Sequence, residues 1–154
     1  MRLQLLCVSR RPAAWAAEAT DEYLKRLQGR LDLKVRELPP AQGAANATQQ
    51  REREADAVFK AHPERALLVA LDERGKAWST AELANELAEW QQEGRDVTLV
   101  IGGAEGLDPR VRERAESVWS LSRLTLPHQM VRVIVVEQIY RAWSMLNRHP
   151  YHRA

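Results

Sequence analysis

Apolar, cationic and turn-forming residues are densely interleaved at positions 119–143, and this segment constrains the fold more than any other part of the chain. The β-branched residues within 131–136 favour a strand by propensity. However, neither glycine nor proline occurs from His128 to Leu146, and apolar residues recur there at every fourth position. That spacing and that length indicate a helix. We therefore predict one long helix that begins at Pro127, a residue suited to a first helical turn.

The apolar surface of this helix is wider than packing against one side of a globular protein requires. The residues that form it are Met130, Val131, Ile134, Val135, Val136, Ile139, Tyr140 and Trp143. A helix that is apolar around most of its circumference must be buried on more than one side. We expect a second subunit to cover the remaining side, which predicts a homodimer.

The composition is that of a folded protein without strong overall charge. A chain of 154 residues with a formal charge of +2 is long enough to bury a sizeable core. Cys7 is the only cysteine, so it forms no internal disulfide, and its apolar neighbours predict a small core residue rather than a nucleophile. We find no signal peptide and no membrane-spanning segment. The expectation is a single domain over residues 1–154 in the cytoplasm, with no membrane partner.

Strands and helices alternate along the sequence. Apolar runs predict strands at 3–8, 33–38, 66–71 and 97–101, and a fifth, loosely alternating strand at 118–126. Amphipathic segments and capping residues predict helices at 13–28, 46–62, 79–94 and 108–115. Residues 72–75 are predicted to form a turn, 41–47 a mobile loop, and Trp15 a core or interface residue. The alternation predicts an α/β fold with a mostly parallel sheet flanked by helices.

Three strand ends are candidates for a ligand site, because ligands of open α/β sheets bind beyond the carboxyl ends of the strands. They are Leu71 with Asp72, Ile101 with Gly102 and Gly103, and the loop at 121–127. The glycines allow a ligand to approach the backbone, although GGAEG at 102–106, taken alone, is simply explained by a tight turn before a helix. The segment matches neither the phosphate-binding loop of nucleotide triphosphatases nor the dinucleotide fingerprint.

The C-terminal segment combines cations with aromatic rings. No acidic residue follows Glu137, whereas Arg141, Arg148, Arg153 and two histidines accumulate around Tyr140, Trp143 and Tyr151. Such a mixture suits phosphate binding and stacking on bases, but it is also typical of a solvated chain end. Glu137 and Arg141 share a helical face, either as a surface pair or as substrate contacts. His149 and His152 lack the carboxylate or cysteine company of a metal site, so no metal is predicted.

Three motifs taken together closely resemble the ribosomal large-subunit pseudouridine N3-methyltransferase family, a single-domain branch of the SPOUT methyltransferases. They are IGGAEGL at 101–107, WSLSRLTLPHQMVRVIVVEQIYRAW at 119–143 and HPYHR at 149–153. The resemblance implies a SPOUT fold with a C-terminal trefoil knot formed by 102–106 and 121–126, and a homodimer that packs the C-terminal helix against its partner. It implies S-adenosyl-L-methionine as the cofactor. The residues implied to bind it are Leu71, Gly102, Gly103, Leu121, Ser122, Arg123, Leu124, Thr125 and Leu126.

The implied reaction is methylation of N3 of a pseudouridine in 23S ribosomal RNA on assembled ribosomes. By the family pattern, Glu137, Arg141, Tyr151 and His152 surround the target base. The hypotheses are that Arg141 stabilises the deprotonated ring, that His152 or Glu137 accepts the proton, and that Tyr151 stacks on the base. Two alternatives stay open: a SPOUT methyltransferase that acts on transfer RNA, and a non-catalytic dimer that binds ribosomes.

The sequence departs from the family pattern at two places. Ser9 and Arg10 follow the first strand, where family members commonly have glycine and lysine, and no lysine or arginine occurs between Glu37 and Arg51. Phosphate contacts from the loop before the second helix are therefore in doubt. Arg10, Arg11 and the C-terminal segment are expected to carry more of the RNA binding.

Overall fold

The computed structural model describes residues 1–153, in which strands and helices alternate as the sequence predicts. The strands are β1 (Leu3–Val8), β2 (Leu33–Leu38), β3 (Leu67–Ala77), β4 (Val97–Ile101) and β5 (Ser117–Ser120). The helices are α1 (Ala14–Leu27), α2 (Ala47–Ala61), α3 (Thr80–Glu93), α4 (Pro109–Arg114) and α5 (His128–Leu146). A short 3₁₀ helix at Pro150–Arg153 follows.

The strands form one five-stranded sheet in the order β2-β1-β4-β3-β5, and every pairing is parallel. Successive strand residues point to opposite faces, so the sheet separates two apolar clusters. Residues of α1, α3 and α5 pack on one face and residues of α2 and α4 on the other. The predicted α/β class with a parallel sheet flanked by helices is confirmed.

Short polar side chains fix the starts of three helices. The Asn46 side chain accepts a hydrogen bond from the Gln49 amide, Ser79 accepts one from Glu82, and Asp108 accepts one from Arg110. Each bond satisfies an amide that has no partner within its helix. The predicted capping residues of α2, α3 and α4 are therefore confirmed.

Helix α5 runs without interruption for 19 residues, so its predicted length is confirmed. Val135, Val136 and Ile139 are fully enclosed by the core, whereas Met130 is 43% exposed. Arg132 is buried on the same helix and forms an ion pair with Glu37 at the end of β2. The helix is thus tied to the sheet by both apolar packing and a buried charge pair.

Two predicted segments differ from the structure. Residues 72–75 belong to β3, which continues to Ala77 and pairs again with β5 after a register shift. The fifth strand ends at Ser120 instead of 126. Beyond it, the Ser120 hydroxyl donates to the Ser122 carbonyl and the Leu124 amide donates to the Ser122 hydroxyl. These local bonds take the place of ladder bonds.

Trp15 does not lie in the core of the chain, because it is 51% exposed. The buried residues of α1 are Ala16, Thr20 and Leu27, so the helix faces the sheet one position away from Trp15. Trp90 and Trp119 are buried as expected. Within residues 1–153, no helix has the length and apolar character needed to cross a membrane.

Candidate active site

The carboxyl ends of three neighbouring strands meet at one edge of the sheet. Leu71 of β3 pairs with Ile101 of β4 on one side and with Trp119 of β5 on the other. A cavity of about 670 Å³ lies at this edge, a volume within the range of roughly 300–1,000 Å³ that is typical of ligand sites. We call it the strand-end cavity. It occupies the position at which the three strand ends predict a ligand.

The residues predicted to bind the cofactor line this cavity, with one exception. Those that line it are Leu71, Gly102, Gly103, Leu121, Ser122, Leu124, Thr125 and Leu126. Arg123 is exposed and is not part of the lining. The loop after β4 and the loop after β5, which lie apart in sequence, therefore line the same cavity.

The glycine loop at 102–106 folds back on itself. The Gly106 amide donates to the Gly103 carbonyl at 3.0 Å, and Gly106 has a φ of 78°. A side chain at Gly102 would place its Cβ 2.9 Å from the Gly106 carbonyl carbon, closer than packing tolerates. The first glycine is thus required by the close approach of the loop to itself, and the last by its left-handed conformation.

Sequence reasoning missed part of the cavity wall. Trp119 lines the cavity, and its ring stacks on Trp78 with centroids 5.3 Å apart. His128 and Val131, from the first turn of α5, close the other side. The available signal was position for His128 alone, which directly follows the loop predicted at 121–127; Trp119 was predicted as the second residue of a strand at 118–126, whereas the observed strand ends at Ser120.

Polar contacts hold the loops around the cavity in place. Asp72 accepts from the Arg74 amide at 2.9 Å and forms an ion pair with Arg112 at 3.4 Å. The Thr125 hydroxyl donates to Glu73 at 3.0 Å, which joins the loop after β5 to β3. Because Asp72 already accepts from two donors, its contacts favour a role in holding these loops in place.

The predicted catalytic residues of the C-terminal segment lie together. Arg141 donates to Glu137 Oε1, with its Nη2 2.7 Å from that oxygen, and the Tyr151 hydroxyl donates to the same oxygen at 2.9 Å. The Arg141 guanidinium lies 5.0 Å from the centre of the Tyr151 ring. His152 is on the same 3₁₀ turn, and its Nδ1 is buried without a hydrogen-bond partner among residues 1–153. We call these four residues the tail cluster.

The surroundings of Tyr151 and Arg141 favour the protonated form of both side chains. Burial, together with hydrogen bonds to Tyr23 and Glu137, raises the pKa of the Tyr151 phenol above its ordinary value. The hydrogen bond to Glu137 raises the pKa of Arg141 further. Tyr151 therefore keeps its proton at neutral pH and acts as a donor, while Arg141 stays cationic. Tyr140 packs against Tyr151, with ring centroids 4.5 Å apart.

The tail cluster does not reach the strand-end cavity of its own chain. None of its four residues lines that cavity. Arg141 lies about 15 Å further along α5 than Val131, given a rise of about 1.5 Å per residue. The structure therefore brings the predicted cofactor residues together and the predicted catalytic residues together, but it keeps the two groups apart within one chain.

Residues 1–152 match the family described as "Predicted SPOUT methyltransferase". The chain belongs to this family. It is 47% identical over 156 residues to a protein of Burkholderia thailandensis and to one of Burkholderia lata, and each alignment covers 100% of this chain and 100% of the relative. A protein of Paraburkholderia phymatum is 47% identical over 155 residues, with 99% of each chain covered. All three relatives are named "Ribosomal RNA large subunit methyltransferase H".

In this SPOUT methyltransferase, His149 has contacts other than metal coordination. His149 Nδ1 accepts from the Tyr151 amide at 3.3 Å, and its ring packs against Tyr140 and Trp143. No group of three or more histidine, cysteine, aspartate or glutamate side chains within residues 1–153 is arranged to hold a metal ion. The arrangement offers a cavity lined by both apolar and charged side chains, with the glycine loop in its wall, and a separate cluster that combines a cation, a carboxylate and a phenol.

Proposed function

We propose that this SPOUT methyltransferase transfers a methyl group from S-adenosyl-L-methionine to N3 of a pseudouridine in 23S ribosomal RNA, on assembled ribosomes in the cytoplasm. The single observation that carries the proposal is full-length similarity, at 47% identity, to proteins named "Ribosomal RNA large subunit methyltransferase H". The strand-end cavity and the tail cluster supply the two kinds of site that such a reaction needs.

The strand-end cavity fits the cofactor by its chemistry. Leu71, Trp119 and Leu126 give it apolar walls for an adenine ring, and the Trp119 Nε1 donor is buried without a hydrogen-bond partner among the described residues. Backbone at 102–103 and 121–126 would hold the remaining polar groups. The bound cofactor supplies a methyl group on a positively charged sulfur, so the protein mainly contributes alignment and exclusion of water.

The tail cluster would act on the target base. We infer that Arg141 stabilises the negative charge of the deprotonated ring and that Tyr151 contacts the ring. Glu137 already accepts hydrogen bonds from Arg141 and Tyr151. Its contacts favour a positioning role, and they favour His152 over Glu137 as the acceptor of the N3 proton, since the carboxylate is engaged in holding its two neighbours.

We further propose a homodimer in which the cavity of one subunit is completed by the tail cluster of the other. The separation of the two groups along α5 supports this arrangement, because a base close to the cavity would not contact Arg141 of the same chain. Large apolar side chains on α1 and α5 are exposed in the single chain: Trp15, Met130 and Leu146. They would be covered by packing of α5 and α1 against the second subunit.

The trefoil knot belongs to the same proposal. Its two segments would be the loops at 102–106 and 121–126, and the lining of one cavity by both loops supports that assignment. A knot would fix the two loops relative to each other without a ligand. Such threading is an exception to the general rule for protein chains.

The decisive experiment is methyl transfer from labelled S-adenosyl-L-methionine to intact ribosomes, isolated large subunits and stripped ribosomal RNA, followed by mass spectrometry of the nucleosides. We expect 3-methylpseudouridine from assembled particles only. Methylation of transfer RNA instead would support the alternative function, a SPOUT methyltransferase that acts on transfer RNA. Cofactor binding without methylation of any RNA, or no cofactor binding at all, would contradict the proposed reaction; the latter favours a ribosome-binding dimer.

A further inference from the structure

A second cavity adjoins the strand-end cavity. It has a volume of about 460 Å³ and lies between the end of β1, the loop before α2 and the start of α5. Ala104, Glu105 and His128 line both cavities, so they form a shared wall. Arg10 and Arg11 line the second cavity only. We call it the β1-end cavity.

The two arginines of the β1-end cavity are available for a ligand. Both are exposed, and neither has an ion pair or hydrogen bond with another of the residues 1–153. The neighbouring arginines of α2 are engaged by the protein itself. Arg51 donates to the Glu105 carbonyl at 3.4 Å, and Arg53 donates to the Gln42 carbonyl at 2.8 Å. Adjacent free guanidinium groups next to a cavity are suited to binding phosphate.

The backbone that carries these arginines is firmly anchored. Ser9, directly before Arg10, is buried, and its hydroxyl donates to Glu37 at 2.8 Å. The buried Arg132 of α5 donates to the Ser9 hydroxyl at 3.1 Å and to Glu37 Oε2 at 2.7 Å. This network joins β1, β2 and α5 beneath the arginine pair. A backbone that is already fixed loses little conformational entropy when the side chains that it carries bind a ligand.

Charge is distributed unevenly along the β1-end cavity, and this sets the orientation of a ligand. The arginine pair is not part of the shared wall, whereas the exposed carboxylate of Glu105 is. Glu54, also in the lining, is buried and accepts from the Ala41 amide and the Gln50 side chain. A phosphate is attracted to the arginines and repelled by Glu105, while a neutral base edge that carries N–H donors suits the carboxylate.

We propose that the β1-end cavity binds the RNA strand beside the target nucleotide, with Arg10 and Arg11 on a backbone phosphate and the base directed towards the shared wall. This inference rests on the proposed function, because it assumes an RNA substrate whose reacting base lies near the strand-end cavity. It assigns the phosphate contacts to the end of β1, and not to the lysine-free loop before α2. Phosphate contacts of this kind position the strand without reading its sequence.

The test compares the double variant Arg10→Ala/Arg11→Ala with Lys34→Ala/Arg36→Ala. The second pair is exposed on the edge strand β2 and removes the same charge. Methyl transfer to unmethylated large subunits and to intact ribosomes is measured over a range of salt concentrations. Cofactor affinity is measured by calorimetry. The pair Arg10→Gln/Arg11→Gln, which keeps long polar side chains, serves as a check against loss of folding.

We expect both Arg10/Arg11 variants to raise KM for the particle by about tenfold or more, and to lower the slope of log affinity against log salt by about 1 to 2, as loss of one or two phosphate contacts requires. Cofactor affinity and the melting temperature should match those of the control pair. An unchanged KM and salt slope would overturn the inference.

A failure of the proposed function looks different. If the wild-type protein methylates no RNA, the proposed reaction is wrong. The role of the β1-end cavity is then tested by measuring, with filter binding, the affinity of wild-type and variant proteins for the same particles. Equal particle affinity of the Arg10/Arg11 variants and the control pair in that assay would overturn the inference as well. Weaker binding by the Arg10/Arg11 variants alone would support it independently of catalysis.

Discussion

At the scale of single residues, Arg141 is the side chain whose removal should separate chemistry from cofactor binding. It contacts Glu137 and the Tyr151 ring and does not line the strand-end cavity. On the proposed function, Arg141→Ala should lower turnover by more than about 100-fold, because the charge proposed to stabilise the deprotonated ring is lost. Cofactor affinity, measured by calorimetry, should stay close to that of the wild type.

A matched control for this prediction is Arg30→Ala. Its guanidinium lies 5.0 Å from the centre of the Trp143 ring, two residues after Arg141 on α5, and it forms no ion pair with Glu137 within residues 1–153. This variant should retain most of its turnover. Wild-type turnover in Arg141→Ala would remove Arg141 from the site.

Cys7 should be chemically inert in the folded protein. It is buried, and burial raises the pKa of its thiol from 9.0 to about 12. A thiol-specific reagent at pH 8 should therefore label the protein only after unfolding in urea. Because the unfolded thiol ionises first, this group's contribution to stability is present below pH 9 and is lost as the pH rises towards 12. Cys7→Ala should remove that part of the pH dependence, and rapid labelling of the native protein would contradict the prediction.

At the scale of secondary-structure elements, Gly75 allows β3 to continue beside β5. A Cβ at this position would lie 2.4 Å from the Val118 carbonyl oxygen, which is backbone and has little freedom to move. Gly75→Ala should lower the free energy of unfolding by about 1–3 kcal/mol, the usual cost of overpacking. Urea denaturation measures it, and the neighbouring exposed Lys76→Ala is the control. Equal stability of the two variants would show that β5 adjusts without cost.

The same strand marks a limit of prediction from sequence. Asp72, Glu73, Arg74 and Gly75 have the composition of a turn, yet they extend a strand because β5, distant in sequence, pairs with it. Local composition carries no information about such a partner. Conversely, α5 was predictable although its residues favour a strand, because an uninterrupted helical repeat over 19 residues outweighs propensity. Capping residues were predictable since their bonds are local.

The candidate site was predictable to a similar, partial degree. Parallel strands place their carboxyl ends at one edge, so Leu71, Gly102 and the loop at 121–126 could be expected near one another. The wall contributed by Val131 depends on how α5 packs over the sheet, which the sequence does not specify. The separation of Arg141 from Val131 follows from the helical rise along α5, whose length the sequence predicted.

At the scale of the whole molecule, the apolar width of α5 and the separation of the two groups of site residues have one common explanation. Both are accounted for if two chains pack through α5 and each contributes half of each site. A closed dimer with two-fold symmetry then contains two identical composite sites. The arrangement makes activity depend on which chain of a mixed dimer carries which defect.

Mixed dimers test this directly. One chain carries Arg141→Ala in the tail cluster, and the other carries Gly102→Val, whose side chain has no room against Gly106 in the cavity wall. Each pure variant should be inactive. A mixed dimer isolated through two different affinity tags should recover about half of the wild-type turnover, because one of its two composite sites is intact. The intact site combines the cavity of the first chain with the tail cluster of the second.

The reciprocal mixed dimer distinguishes sites within one chain from sites between chains. It pairs a wild-type chain with a chain that carries both substitutions. If each site is composite, every site in this dimer has one defective half, since each cavity and each tail cluster meets its counterpart from the other chain, and turnover should be lost. If each site lies within one chain, the wild-type chain remains active, and about half of the turnover persists. Activity in this dimer, with none in the first, would refute the composite site. The tail cluster would then have to move towards the cavity of its own chain during the reaction.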